Sequence, residues 1–452
     1  MFLPEEPDFA AFVAIDWADR EHAWAMQVAG KTKREKGKFL QTPEGVEAWA
    51  MQWAERFRGR PVAVALEQSR GALAYALSKF PHLVVFPVHP STSFAYRKAM
   101  YPSGCKDDPK DAGLLLDLLV LHRERLRPLK LDTEQTRQLQ ILVEKRRQLV
   151  DHRTAQTNRA TDQLKIYFPQ VLSWFDDLAA PICREFLKRW PTLPELQRED
   201  PAHVRQFFYQ HRSRSTQRIE TRLRDIQEAK PLIEDAAIIE PAVILVCTFL
   251  EVADRLNEGI RKLDKSIETI TAAHSDYFIF QSFPGAGPAM APRLLAAFGT
   301  LRDRFDTANE VQCFAGIAPI VEASGQQIWI HFRWASTNFL KQTFHEYAGL
   351  SIQQCTWARE FYDRQRAKGK GHHAAVRALA YKWIRILFRC WKAGQAYDET
   401  LYVAARAARA CPLPVLATAP ATTTRRPRGC GKDKDSGLKS VRDIFKSLME
   451  GT

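Results

Sequence analysis

The sequence predicts an α/β N-terminal domain, a helical, coiled-coil-like middle and a mainly α C-terminal domain. Three observations predict it. Apolar strand patterns alternate with helical ones over residues 8–128, as in an α/β layer. Residues 129–275 turn charged and helical, with an apolar stripe near heptad spacing. Residues 276–402 return to glycine turns followed by amphipathic helices, and 403–452 shift to Ala, Arg, Thr and Pro.

With 452 residues the chain has room for two or three cores. Sixty-six Lys and Arg against 52 Asp and Glu give a formal net charge of +14. Such an excess favours a polyanionic partner, most simply nucleic acid. The eight cysteines are scattered without C-x-x-C spacing, which argues against a zinc ribbon. They read as reduced thiols of a cytoplasmic protein. The first residues lack a basic segment and an apolar run, so no signal peptide is expected. The apolar run from Ala236 to Val252 contains Glu240, Pro241 and Glu251. It reads as too short and too charged to span a bilayer, and no membrane partner is expected.

In chain order, residues 10–16 read as a buried strand ending in Asp16. Residues 23–28 follow as a second strand, 31–37 as a basic turn and 38–41 as a third strand. Thr42 caps a helix with Pro43 at its first position, and Val46, Trp49, Trp53 and Phe57 keep helical spacing. Residues 61–67 form another apolar strand, ending in Glu67. A helix is expected over 71–79 and a strand over 83–88, which His89-Pro90 breaks. Open α/β sheets place their sites at the carboxyl ends of strands, where Asp16 and Glu67 both fall.

Gly104 and Pro109 mark a loop entering the next helix, whose apolar residues run from Ala112. Asp108 and Asp111 share one face of its first turn, as do Asp107 and Asp111. Lys106 and Lys110 flank them. Carboxylates beside lysines suit half of a site for a hard cation and a phosphate. The same residues also suit a capped helix start with acids at the positive end of its dipole.

The middle begins with a long helix over 133–163. Its apolar stripe includes Leu139, Leu142 and Leu149, and its basic residues include Arg146 and Arg147, a face able to follow a phosphate backbone. Prolines divide the next stretch into short helices, and residues 203–230 are rich in arginine. A second long helix over 242–273 carries Leu245, Phe249, Val252, Leu256, Ile260, Leu263, Ile267 and Ile270 near heptad spacing. Pro284-Gly285-Ala286-Gly287 then makes a tight turn before a helix. Such a turn at Gly285 and Gly287 can offer backbone N–H groups to a phosphate, and equally can serve as a plain helix–helix turn. Further helices are expected over 339–350 and 357–368. A basic turn, Lys368-Gly369-Lys370-Gly371, precedes another that carries Val376, Leu379 and Trp383. Residues 403–437 read as a flexible basic tail, and 438–449 as a short amphipathic helix.

Two motif sets in this order carry a resemblance. The first is Asp16 after Phe-Val-Ala-Ile, Glu67 after Val-Ala-Val-Ala-Leu, and Lys106-Asp107-Asp108-Pro109-Lys110-Asp111-Ala112. The second is Cys313-Phe314-Ala315-Gly316-Ile317-Ala318-Pro319 followed by Glu322-Ala323-Ser324-Gly325. Together they resemble the DEDD transposases of insertion sequences, also called bridge-RNA-guided recombinases. The resemblance covers most of 10–120 and 275–395. It implies an N-terminal domain of the ribonuclease-H fold, in its Holliday-junction-resolvase branch. It selects Asp108 over Asp107, giving Asp16, Glu67, Asp108 and Asp111 as acids that hold Mg²⁺. It makes Ser324 the nucleophile, with Ser336 a lower-ranked rival. It further implies DNA and a noncoding bridge RNA as partners, a homo-oligomer, and one composite site built from both domains.

Two departures stand out. Gln68-Ser69-Arg70-Gly71 replaces the usual Ala-Thr-Gly after the glutamate. The stretch from Ile328 to Asn338 replaces a basic, glycine-containing one, although Arg333 keeps a charge. The rival functions are a metal nuclease using water, a non-catalytic nucleic-acid scaffold and a two-carboxylate glycosidase, the last at odds with the basic charge.

Overall fold

A computed structural model describes residues 8–67, 71–101, 108–213, 215–324, 327–334 and 336–410. They divide into two compact units between Leu131 and Asp132. The expected tail helix over 438–449 and residues 411–437 of the basic tail lie outside the described residues, whereas 403–410, expected to be flexible, complete a helix that starts at Glu399.

The N-terminal unit runs β1 (Ala11–Asp16), β2 (Glu21–Val28), β3 (Arg34–Leu40), α1 (Pro43–Arg56), β4 (Val62–Leu66), α2 (Ala72–Leu77), β5 (Leu83–Pro87), α3 (Pro90–Met100) and α4 (Asp108–His122). The five strands form one sheet in the order β3-β2-β1-β4-β5. β1, β2 and β3 pair antiparallel, while β1, β4 and β5 run parallel. This is the mixed α/β domain that the strand and helix alternation predicts.

Strand alternation gives the sheet two buried faces. Val13, Ile15, Val64 and Leu66 pack with Trp49 and Trp53 of α1 and Leu73 and Leu77 of α2. Ala14, Ala63 and Ala65 face the other way, against Leu115, Leu116 and Leu119 of α4. Alanines on that face leave room for a helix whose own side chains are large.

Thr42 caps α1 as expected, its Oγ1 accepting from Gly45 N at 3.0 Å. Two elements differ from expectation. The third strand starts at Arg34, inside the expected basic turn, because it is an edge. Only Phe39 of β3 is buried, and Lys38 and Glu35 pair outward with Glu21 and Arg56. Charges on an exposed edge discourage pairing with another chain. Helix α3 was not expected at all; Pro90 occupies its first position and His89 Nδ1 accepts from Ser91 N at 3.1 Å.

The second unit is mainly helical. Its elements are α5 (Glu134–Tyr167), α6 (Val171–Trp174), α7 (Pro181–Arg189), α8 (Leu193–Arg198), α9 (Pro201–Gln210), α10 (Thr216–Glu228), α11 (Ala236–Ala272), α12 (Tyr277–Gln281), α13 (Ala291–Phe298), α14 (Ala308–Phe314), β6 (Ile320–Ser324), β7 (Gln327–His331), α15 (Asn338–Gln354), α16 (Thr356–Ala367), α17 (His372–Ala393) and α18 (Glu399–Ala410). Helices α5 and α11 pair antiparallel. Gln135 Nε2 donates to Ile270 O at 3.0 Å near one end, and Arg153 Nη1 donates to Asn257 Oδ1 at 3.0 Å farther along. Gly259 lets Leu149 approach closely.

One core joins this pair to α6–α10 around Phe186, Phe207 and Phe208. Another joins it to α12–α17 around Phe298, Phe344, Trp383 and Trp391. The buried stripe of α11 includes Ala242, Val246, Leu250, Ala253, Ile260 and Ile267. The expected heptad stripe is therefore only partly the buried one, and Leu245 and Val252 are exposed together with Ile244. By length and composition alone α11 could cross a membrane. The helix runs on to Ala272, but Asp254, Arg255, Glu258, Arg261, Lys262, Asp264, Lys265 and Glu268 fill that extension, so it adds no apolar length to the run at 236–252.

Candidate active site

The sheet register sets the two strand-end acids side by side. Ile15 pairs with Leu66 across parallel strands. Asp16 and Glu67 follow one step later, at strand ends about 5 Å apart. Alternation turns Asp16 away from the face of Ile15 and towards the face that α4 covers. Both acids are half-buried. Asp111, on the first part of α4, is buried. Asp108 begins that helix, but its side chain, that of Lys110, and Lys106 and Asp107 lie outside the described residues.

Helix α3 joins these acids through two residues that sequence reasoning missed. Ser93 Oγ donates a short hydrogen bond to Glu67 Oε1. Arg97 Nη2 meets Asp111 Oδ2 at 2.6 Å. Ser93 and Arg97 are four apart and share one face of α3, so Glu67 and Asp111 meet the same side of that helix. The available signal was Pro90 as a helix start with Arg97 in the last turn, opposite an acid-rich segment.

Hard oxygen donors are the type that Mg²⁺ prefers, and Asp16, Glu67 and Asp111 are of that type. Among the described residues, no group of three or more His, Cys, Asp or Glu side chains is close enough to hold an ion. Arg97 supplies positive charge at Asp111 in that setting. Its removal takes a cation from a buried carboxylate, so Arg97→Gln should cost the N-terminal unit about 2–3 kcal/mol in denaturant unfolding. Combining it with Asp111→Asn should recover most of that loss. Millimolar Mg²⁺ should stabilise Arg97→Gln more than the unaltered protein. Equal stabilisation of both would count against a cation at Asp111.

In the second unit, β6 and β7 form a two-stranded hairpin. Ser324 pairs with Gln327 and is exposed at the end of β6. Glu322 stands two residues earlier on the same face, 3.4 Å from His331 Nε2. Ser336 is placed differently. Its Oγ is buried without a hydrogen-bond partner among the described residues, and a Cβ on Gly316 would overlap it. Gly316 has φ +70° and ends α14, its N–H donating to Cys313 O at 3.0 Å. Gly316→Ala combines left-handed strain with that overlap and should destabilise the second unit by about 2 kcal/mol or more, read from denaturant midpoints.

The residues proposed to touch nucleic acid divide into two groups. Arg333 is half-buried, with Nε donating to Ala318 O at 3.3 Å, and it lines a cavity beside the hairpin. Gly287 is exposed, whereas Gly285, at φ +80°, lies against the backbone of α15 at Leu350 and Ser351. A side chain at Gly285 would crowd that helix, which accounts for the glycine structurally. Arg146 pairs with Asp264, and Arg147 bridges Asp151 and Glu346 at 2.9 Å each. Those two arginines tie α5 to α11 and α15, so the phosphate-facing role has no positional support from either.

Comparisons with known proteins place both motif sets within matched segments. A transposase family of the DEDD IS110 type matches residues 13–169. The transposase family IS116/IS110/IS902 matches residues 278–363. The chain is 29% identical over 408 residues to the "Mini-circle putative transposase for IS117" of Streptomyces coelicolor, covering 87% of this chain and 97% of that protein. It is 26% identical over 319 residues to the insertion element IS110 43.6 kDa protein of the same species, covering 67% and 74%. A similarity of 23% over 387 residues extends to the insertion element IS116 44.8 kDa protein of Streptomyces clavuligerus, covering 83% and 93%.

Proposed function

Because the chain belongs to the IS110/IS116 transposase family, with two family matches that together span more than half of it, we propose that it excises and inserts a DNA element through a phosphoserine intermediate. The observation that carries the reading is the exposure of Ser324 at the end of β6, while its rival Ser336 is packed under Gly316.

In the proposed step, Ser324 Oγ attacks a DNA phosphorus. The Oγ–P bond forms as the P–O bond to the leaving strand breaks. The serine proton leaves to a base, and the departing oxygen takes up a proton. The reverse reaction rejoins a strand without ATP, because the phosphodiester energy is kept in the covalent link. Asp16, Glu67, Asp108 and Asp111 are the residues proposed to hold Mg²⁺, with Arg97 and Ser93 fixing Asp111 and Glu67. Bound there, Mg²⁺ would polarise a phosphoryl oxygen and stabilise charge on the leaving oxygen. Sheet order and strand-end acids support a ribonuclease-H-like, resolvase-type N-terminal domain.

The family resemblance extends the reading to a noncoding bridge RNA that pairs with donor and target DNA, so the protein reads backbone and shape. A net charge of +14 suits two polyanionic partners. Exposed Ile244, Leu245 and Val252 along α11 support association with a second copy.

The test uses Mg²⁺, element-flanking RNA and labelled DNA carrying the element junction. Label that stays with the denatured protein, mapped by peptide mass to phosphoserine at 324, is the expected result. Cleaved DNA free of protein would instead support a hydrolytic nuclease.

A further inference from the structure

A cavity of about 580 Å³ opens beside the Ser324 hairpin, between β6, β7, α14, α16 and α17. Five cations line it: Arg333, Lys370, Arg377, Lys382 and Arg385. No Asp or Glu lines it among the described residues. Its wall is otherwise largely apolar, with Val321 and Ile330 contributed by the hairpin itself.

The positive charge is held at a cost. Arg377 stacks over Phe332 at 4.4 Å and Lys382 over Phe361 at 4.8 Å. Lys382 is buried and Arg377 half-buried. Burial lowers the pKa of Arg377, and burial together with Lys368 lowers that of Lys370. Like charges gathered on partly desolvated surface favour an anion that neutralises them. The apolar wall asks for something flat and uncharged beside that anion. A cavity of this size takes a ligand of nucleotide dimensions. A duplex keeps its bases stacked and cannot enter, whereas an unpaired nucleotide brings phosphate and base together.

We infer that this cavity binds one unpaired nucleotide of a nucleic-acid strand, its phosphate among the arginines and its base on the apolar wall. The inference rests on the reading that the Ser324 hairpin works on nucleic acid, and it names what the hairpin holds. Val321 is three residues from Ser324 along β6, about 10 Å. The cavity thus supplies, from α17 and the preceding turn, cations that the stretch after Ser324 lacks.

The test measures fluorescence anisotropy of the full chain with a fluorescein-labelled oligothymidylate and with a blunt DNA duplex carrying the same label. Two variants address the two features. Arg377→Gln with Arg385→Gln removes charge. Ala374→Trp fills the mouth from an exposed position while keeping every cation. The charge variant should bind oligothymidylate at least ten-fold more weakly, with a salt slope shallower by about 1.4, and lose less than three-fold on duplex. Ala374→Trp should lose at least ten-fold on oligothymidylate with the salt slope kept. Unchanged oligothymidylate binding in Ala374→Trp, or equal losses on both probes in the charge variant, would overturn the inference. Arg385→Gln alone, at an exposed position, guards against misfolding and should still lose about three-fold. The trapping test is separate: trapped label with unaltered oligothymidylate binding sinks this inference and leaves the proposed function standing. The converse pattern sinks the proposed function alone.

Discussion

Ser324→Ala is expected to lower protein-attached DNA by about 1,000-fold or more, to the background of the assay. The size follows from the role, because no other group can form the covalent link if Ser324 is the nucleophile. The interpretation is protected by its location. Ser324 is exposed on a hairpin that buries little of its own surface, so its loss should change stability by no more than about 0.5 kcal/mol. Ser336→Ala provides the contrast. It removes the packed Oγ that sits against Gly316 and should leave trapping within a few-fold of wild type. Trapped label that survives Ser324→Ala but disappears with Ser336→Ala would reassign the nucleophile. DNA cleavage that persists in both variants without attachment would replace the recombinase with a water-using nuclease.

Much of the N-terminal domain was legible because its strands carry unbroken apolar runs. Val62–Leu66 is buried throughout and reads as a strand from composition alone. Edge strand β3 carries charge for the same reason that it hid its start, since Arg34, Glu35 and Lys36 look like a turn until a neighbouring strand pairs with them. Helix α3 opens Pro-Ser-Thr-Ser, weak helix formers that tertiary packing overrides. The β6–β7 hairpin had no core to announce it, as four of the five β6 residues are exposed. Pairing of Arg146 with Asp264 spans more than a hundred positions, a partner that no local pattern names. The strand-end placement of Asp16 and Glu67 was legible because strand ends are marked in sequence. Ser93 and Arg97 were missed because their significance exists only once α3 lies against both acids.

That contact between α3 and the acids separates the two accounts of Glu67. As a structural residue, it fixes α3 by accepting from Ser93. As a metal ligand, it needs its charge. Glu67→Gln keeps a side-chain oxygen for Ser93 and removes the charge, and Asp16→Asn does the same at the neighbouring strand end. If the two strand-end carboxylates repel each other when no cation is bound, neutralising one should leave the metal-free fold as stable as before or slightly more so. Each variant should nevertheless lose about 1,000-fold in DNA trapping. Binding of Mn²⁺, followed by electron paramagnetic resonance on the protein without DNA, should weaken by at least ten-fold in each. Lost stability with unchanged Mn²⁺ binding would make the acids structural, and the scaffold reading would then gain. Retained stability with lost Mn²⁺ binding and lost trapping would assign the strand-end acids to the metal, because only the charge was removed.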